Sequence, residues 1–315
     1  MDTRISGKTR LLGVFGTPIT HSGSPVMYNF SFDYYGIDGV YLAFDCRESE
    51  MKDSLAAMRR LNMWGANVTM PCKQEAARNM DRLSPAAKFI GAVNTIVNDG
   101  GILTGHNTDG MGVVLDLKDH GKSVQDQKIV LLGAGGAATA IMVQCALDGA
   151  KSVTVFNRGA SALEKAEKIG KKMKKEGVSC MLDYCLLSEE ELLTETIRQG
   201  DILINATSVG MAPMSEGQSL ITDMKAFHEE LVVYDVIYNP EVTKLMKDAA
   251  ENGCRKENII GGKGMLLWQG ACAFRLYTGL EMPVRELKEF LAKREKEGTP
   301  VLQDIVHEQK EYHEE

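Results

Sequence analysis

A set of polar clusters supplies the side-chain types needed to hold a small polyhydroxy acid and move one proton on it. They are "GTPITHSGSP" with Ser22 and Ser24, "NVTMPCK" with Asn67, Thr69 and Lys73, "GAVNT" with Asn94, "GHNTDG" with Asn107 and Asp109, "YNP" with Tyr238, and "MLLWQGA" with Gln269. Serine and tyrosine hydroxyls can donate to a carboxylate, and amides, which both donate and accept, suit ring hydroxyls. A lysine beside an aspartate can exchange a proton with an alcohol or ketone oxygen while hydride moves at the adjacent carbon, which makes Lys73 and Asp109 the candidate acid–base pair. Burial would lower the lysine pKa and the carboxylate would raise it, so the sequence leaves the net direction open. Taken singly, each cluster also has a plain structural reading. The serines around Gly23 could be a loop and a helix cap, Asp109 could cap a helix from Gly110, and Lys73 could be a solvated first-turn residue.

A hydride must come from somewhere, and "LLGAGGAA", Leu131 to Ala138, follows an apolar strand and opens a long helix. That is the context a dinucleotide fingerprint requires. Gly133 permits the tight turn, Gly135 lets a pyrophosphate approach the backbone, and Ala138 stands where a small residue allows close helix–strand packing. The helix N-terminus would then point its N–H groups at the phosphates. The next strand ends in Asn157 and Arg158, where an acidic residue would favour NAD and an arginine can accommodate the 2′-phosphate of NADP. NADP is therefore the favoured cofactor.

The elements that must position these residues alternate. "LLGVF", Pro25 to Tyr35, "VYLAFD", Glu48 to Leu61, "GANV" and Lys73 to Met80 read as strand and helix in turn, an α/β pattern. "GAVNTIV" and "ILTGHN" around "NDGG" read as a hairpin. A second β-α series runs from Lys128 through "DILINATS" and "LVVYDVIYNP", its strands continuously apolar as in a parallel sheet covered on both faces. Gly264 to Lys293 reads as two helices that return to the first domain, and the charged tail from Arg294 lacks an apolar face. The fold class is thus two-domain α/β: a substrate domain over residues 1–109, a Rossmann-type NAD(P)-binding domain over 110–261, and C-terminal helices over 262–315.

With 315 residues the chain exceeds the range of about 250–300 at which a single core stops growing. A net charge of −7 without a Lys/Arg block argues against nucleic acid as a partner. The seven cysteines are scattered and include no C-x-x-C pair, which disfavours both a disulfide framework and a structural zinc site. No metal is expected. The N-terminus lacks an apolar segment of the secretory kind, and no apolar run reaches the length of a membrane span, so the cytoplasm is the expected location.

Quoted in order, "HSGSP", "NVTMPCK", "GAVNT", "NTDGMG", "GAGGAA", "NATSVGM", "YNPEVT" and "GKGMLLWQGA" resemble the shikimate dehydrogenases over about residues 11 to 285. "GAGGAATAI", "VYLAFD" and "MLLWQGA" look like the quinate/shikimate dehydrogenase branch, some members of which accept NAD as well as NADP. The resemblance implies reversible, NAD(P)-linked interconversion of 3-dehydroshikimate and shikimate in chorismate and aromatic amino-acid biosynthesis. It implies Lys73 as catalytic acid/base with Asp109 as partner, and Ser22, Ser24 and Tyr238 on the carboxylate side. Asn67, Thr69, Asn94 and Gln269 fall to the substrate, and Tyr41 matches a substrate-region tyrosine that could equally be a core aromatic of its strand. Gly133, Ala134, Gly135, Gly136, Ala137, Asn157 and Arg158 would meet the cofactor, with Val236 and Gly262 near the nicotinamide. The chain departs from dual-cofactor members in having no acidic residue after Arg158 until Glu164, and from NADP-preferring members in having Gly159 where threonine is common. Two alternatives remain: a quinate/shikimate enzyme using quinate and NAD, and a non-catalytic dinucleotide sensor, which would be expected to have lost Lys73 or Asp109. The small-molecule substrate is the expected partner, with the chain a monomer or a homodimer.

Overall fold

The computed structural model describes residues 5–20 and 22–296. The charged tail read from Arg294 begins inside the last helix, and its part from 297 onward lies outside the described residues. The chain divides into two compact units, one taking the sequence up to Thr108 and again from Gly270, the other taking Asp109–Gln269.

The first unit contains β1 (Arg10–Gly16), α1 (Ser24–Tyr35), β2 (Gly39–Asp45), α2 (Met51–Arg60), β3 (Gly65–Val68), α3 (Lys73–Arg78), β4 (Arg82–Leu83), α4 (Pro85–Ile90), β5 (Thr95–Asp99) and β6 (Ile102–His106). Its six-stranded sheet has the order β2-β1-β3-β5-β6-β4. β1 runs parallel to β2 and β3, whereas β5 is antiparallel to both β3 and β6. The β5–β6 hairpin turns through Gly100 and Gly101 with φ of 59° and 94°, the positive pair that a type I′ turn demands and that glycine alone adopts freely. α2 buries Met51, Leu55 and Met58, spaced along one helical face, against Phe15, Val68, Ile96 and Leu103 of the sheet.

The second unit contains α5 (Asp109–Asp119), β7 (Lys128–Leu132), α6 (Gly136–Leu147), β8 (Ser152–Asn157), α7 (Ala160–Lys175), β9 (Met181–Leu186), α8 (Glu190–Arg198), β10 (Ile202–Asn205), β11 (Val232–Asp235), α9 (Lys244–Glu251) and β12 (Ile259–Ile260). All six strands are parallel in the order β12-β11-β10-β7-β8-β9, the doubly wound arrangement of the dinucleotide-binding fold. The apolar runs of β7, β10 and β11 are buried along their length, as covered parallel strands must be. α10 (Lys263–Thr278) is continuous across the division between the units, and α11 (Val284–Lys296) follows it. The fold class read from the sequence, two α/β units of which one is Rossmann-like, is the one observed.

Candidate active site

Strand direction gathers most of the candidate residues of the first unit at one edge of its sheet. β3 ends at Val68, so Thr69 and the first-turn residue Lys73 of α3 follow at that edge. β5 runs the other way, and the pairing of Asn67 with Thr95 sets Asn94, which precedes β5, beside the end of β3. Asn94 therefore lies just before the start of an antiparallel strand and not after a strand's C-terminal end. Thr95 also pairs with His106, which brings the end of β6, with Asn107 and Thr108, to the same place.

A chain of buried polar groups fixes this edge. Tyr41 is fully buried, its ring stacked on Tyr28 at 4.3 Å and 8°. Its hydroxyl donates to Asn67 Oδ1 at 2.7 Å, and Asn67 Nδ2 donates to Asn94 O and Thr95 Oγ1, both at 3.1 Å. Asn94 Oδ1 accepts the Thr108 backbone N–H at 2.9 Å, and Asn94 Nδ2 donates to Thr108 Oγ1 at 3.0 Å. Tyr41 is thus a core aromatic whose hydroxyl orients a site amide. Burial holds its phenol far above the usual tyrosine range, so it stays a donor at any ordinary pH.

Ser22 and Ser24 flank Gly23, the N-cap of α1, which makes no side-chain cap; Ser22 Oγ accepts the Ser24 N–H at 3.4 Å. Thr69 is half-buried and held through its backbone to Phe15 O at 2.9 Å. Lys73 is half-buried, and its carbonyl accepts the Val93 N–H at 2.9 Å, tying the start of α3 to the segment that leads through Asn94 into β5. Burial pushes the adjacent Cys72 thiol up to about 12, which leaves it protonated and inert beside the lysine. All seven cysteines are free thiols, and the described residues contain no group of three or more metal-ligating side chains.

In the second unit Asp109 is the first residue of α5 and half-buried, inside the helix instead of capping it. Tyr238 follows β11 and is half-buried, its phenol pushed up by burial. Gln269 lies on α10, where its Nε2 donates to Leu266 O at 3.0 Å. These residues and the cofactor candidates belong to the unit whose sheet carries the glycine turn.

That turn fits a dinucleotide. Gly133 follows β7 with φ +110°, and a Cβ there would stand 2.9 Å from Ala206 O, beyond the end of neighbouring β10. Chain order reverses between those two strands, the crevice where open α/β sheets take ligands. Gly135 caps α6 without a side chain engaging its first turn, and nothing lies within 4 Å of where a Cβ would be at Gly135 or Gly136. A pyrophosphate can therefore reach the helix N-terminus. Ala134 and Ala137 are partly buried in the turn, and Ala138 is packed away. Asn157 ends β8, its Nδ2 donating to Gly159 O at 2.9 Å, and Arg158 is exposed beside it. Val236 follows β11, and a Cβ on Gly262 would collide with its carbonyl, so these two backbones touch.

One network escaped the sequence reading. Asn205 Nδ2 donates to Asp235 Oδ1 at 3.0 Å, Thr207 Oγ1 donates to Asn205 Oδ1 at 2.7 Å, and Thr243 Oγ1 donates to Asp235 Oδ2 at 2.8 Å. The Ile237 N–H donates to Asp235 Oδ1 at 3.1 Å. It braces the ends of β10 and β11 behind Gly133 and Val236. A polar residue closing each of two fully apolar strands was the available signal.

Comparison with known proteins follows the same division. Residues 14–96 match the shikimate dehydrogenase substrate binding domain, 116–251 the shikimate/quinate 5-dehydrogenase family, and 262–289 the shikimate 5′-dehydrogenase C-terminal domain. The curated shikimate dehydrogenase (NADP+) of Listeria monocytogenes is 45% identical over 288 residues, 91% of this chain and 97% of the relative. The crystal structure of shikimate 5-dehydrogenase from Listeria monocytogenes in complex with shikimate and NAD superposes with a TM-score of 0.87 at 44% identity, covering 92% of this chain and 99% of that one. Quinate dehydrogenase from Corynebacterium glutamicum in complex with NAD superposes at 0.78 and 30% identity, covering 90% and 99%.

Proposed function

Because the chain belongs to the shikimate dehydrogenase family, we propose that it catalyses the reversible oxidation of shikimate to 3-dehydroshikimate with NADP, the oxidoreductase step of chorismate and aromatic amino-acid biosynthesis. The observation that carries the reading is the polar edge of the first sheet, where Asn67, Thr69, Asn94 and the α3 lysine are assembled by antiparallel β5. When bound, the nicotinamide accepts hydride from the substrate carbon in oxidation and returns it in reduction. Lys73 Nζ takes the proton of the adjacent hydroxyl in oxidation and gives it back in reduction, with Asp109 as its partner. Ser22, Ser24 and Tyr238 hold the carboxylate, and Asn67, Thr69, Asn94 and Gln269 hold ring hydroxyls through amides and hydroxyls that donate and accept. Tyr41 acts on the substrate through Asn67.

Gly133 to Ala137 receive the pyrophosphate, Asn157 and Arg158 the adenosine ribose and its 2′-phosphate, and Val236 and Gly262 the nicotinamide. NADP fits the exposed guanidinium after β8 better than NAD does, since the sequence places no acidic residue after Arg158 until Glu164. The likeness to a quinate dehydrogenase with NAD supports a second reading, in which quinate and NAD are also used. Both readings place the reaction in the cytoplasm. Steady-state kinetics of shikimate and quinate with each nucleotide separates them, because specificity is a ratio of kcat/KM values. The highest ratio should belong to shikimate with NADP. A higher value for quinate with NAD would replace the first reading by the second, and no turnover of either acid would reject both.

A further inference from the structure

α5 and α10 are joined by buried groups that have no part in the chemistry proposed above. Asp109, Gly112 and Asp116 are spaced three and four residues apart, so they share one face of α5. α10 comes close at Gly112: a Cβ there would stand 2.7 Å from Met265 O and 3.0 Å from Gln269 Cβ. One turn further along α5, Asp116 is 1% exposed. Its Oδ2 accepts the Tyr234 hydroxyl at 2.7 Å, and a Cβ on Gly264 would overlap the carboxylate, so the first turn of α10 rests on it. His120 closes the other side, its Nδ1 3.6 Å from Asp116 Oδ1 and 2.8 Å from the Asp116 carbonyl.

We propose that Asp116 and Tyr234 are positioning residues: they lock the first turn of α10 onto α5, and so fix Gln269 relative to Asp109. The carboxylate favours the N-terminal end of a helix, where N–H groups lack intrahelical partners. The hydroxyl, donating to Oδ2, holds that carboxylate in place beneath Gly264. Met265 and Gln269 are four residues apart on the same face of α10, so a first turn held in place holds the glutamine one turn on. Gly112 lets the two helices approach where Gln269 leaves α10. The proposal rests on the reading of Asp109 and Gln269 as substrate-site residues.

Tyr234→Phe keeps the ring and removes only the oxygen bonded to Asp116. It should raise KM for shikimate about ten-fold, as a small misplacement of a binding group does, while NADP affinity measured without substrate stays within about two-fold. In a Gln269→Ala background the same change should alter KM less than about two-fold, since residues acting as one unit are not additive. Asp116→Asn, which keeps the shape of the carboxylate, should give the same pattern in milder form. An equal effect of Tyr234→Phe in both backgrounds, or none in either, overturns the proposal. Hydrogen exchange reads the lock without substrate: the amides of Gly264 and Met265 should exchange faster in Tyr234→Phe than in the parent, and unchanged exchange there also overturns it. A parent protein inert toward shikimate would reject the functional reading instead, and the exchange measurement would still decide the lock.

Discussion

Replacing Tyr41 by phenylalanine isolates one oxygen. The ring, its volume and its stack on Tyr28 remain, and only the hydroxyl donated at 2.7 Å to Asn67 Oδ1 is lost. Both residues are buried, Tyr41 fully and Asn67 to 7% exposure, so water does not readily replace the donor. Leaving a buried acceptor short of its donor costs about 1–3 kcal/mol. Truncation to alanine would cost about 3–5 kcal/mol through the lost ring, so the conservative change is the informative one. At about 2–4 °C per kcal/mol for a unit of this size, the midpoint of thermal unfolding should fall by about 2–12 °C. The effect should be flat between about pH 6 and 9, because burial keeps the phenol protonated throughout. Asn67 retains its bonds to Asn94 O and Thr95 Oγ1, so the site survives with a looser amide and KM for shikimate should rise a few-fold. Urea unfolding and steady-state kinetics on the same preparation read both quantities. A stability loss below about 0.5 kcal/mol, typical of a surface substitution, together with an unchanged KM, would refute the claim that Tyr41 works through Asn67.

Other perturbations read other parts of the account. Arg158→Ala should raise KM for NADP by about ten-fold or more, the worth of one charge-assisted phosphate contact, and leave KM for NAD nearly unchanged; equal losses for both nucleotides would remove the arginine from the 2′-phosphate. Gly133→Ala forces a side chain onto φ +110° and against Ala206 O, and should destabilise the protein by about 1–3 kcal/mol or more while weakening cofactor binding in a fluorescence titration. Asp81 accepts the Leu103 N–H at 2.7 Å and Arg59 at 2.8 Å, which hold its carboxyl below the usual aspartate range. Its contribution is therefore present above the unfolded aspartate pKa and lost as pH falls through the lower folded value. Asp81→Asn should lower the urea midpoint at pH 7 and converge with the parent in strong acid, and a difference independent of pH would contradict this.

Much of the architecture was legible because local signals agreed with the global fold. "NDGG" demanded a tight hairpin between two alternating runs, and the fully apolar β7, β10 and β11 announced a covered parallel sheet. The turn at Gly133 was readable from glycine spacing after a strand. β4, two residues long, carries too little sequence to show a period, although Ser84 and Pro85 after it form a legible start to α4, with Ser84 Oγ accepting the Ala87 N–H at 3.3 Å. The site was legible as residue types and less so as geometry. Asn94 could be recognised as an amide in a motif, but its place beside Asn67 depends on β5 running antiparallel, which no local pattern specifies. The Tyr41–Asn67 and Tyr234–Asp116 bonds join residues 26 and 118 positions apart. Each partner read alone looks like an ordinary core or helix residue.

The central claim, that Lys73 moves the proton during shikimate oxidation, is tested most directly by kcat for shikimate and NADP in Lys73→Ala beside the parent, with folding and NADP affinity measured on both. Loss of a positioned acid–base group predicts a fall in kcat of about 10²–10⁴ with the fold and cofactor binding intact. A folded, NADP-binding Lys73→Ala protein whose kcat stays within about two-fold of the parent would contradict the account.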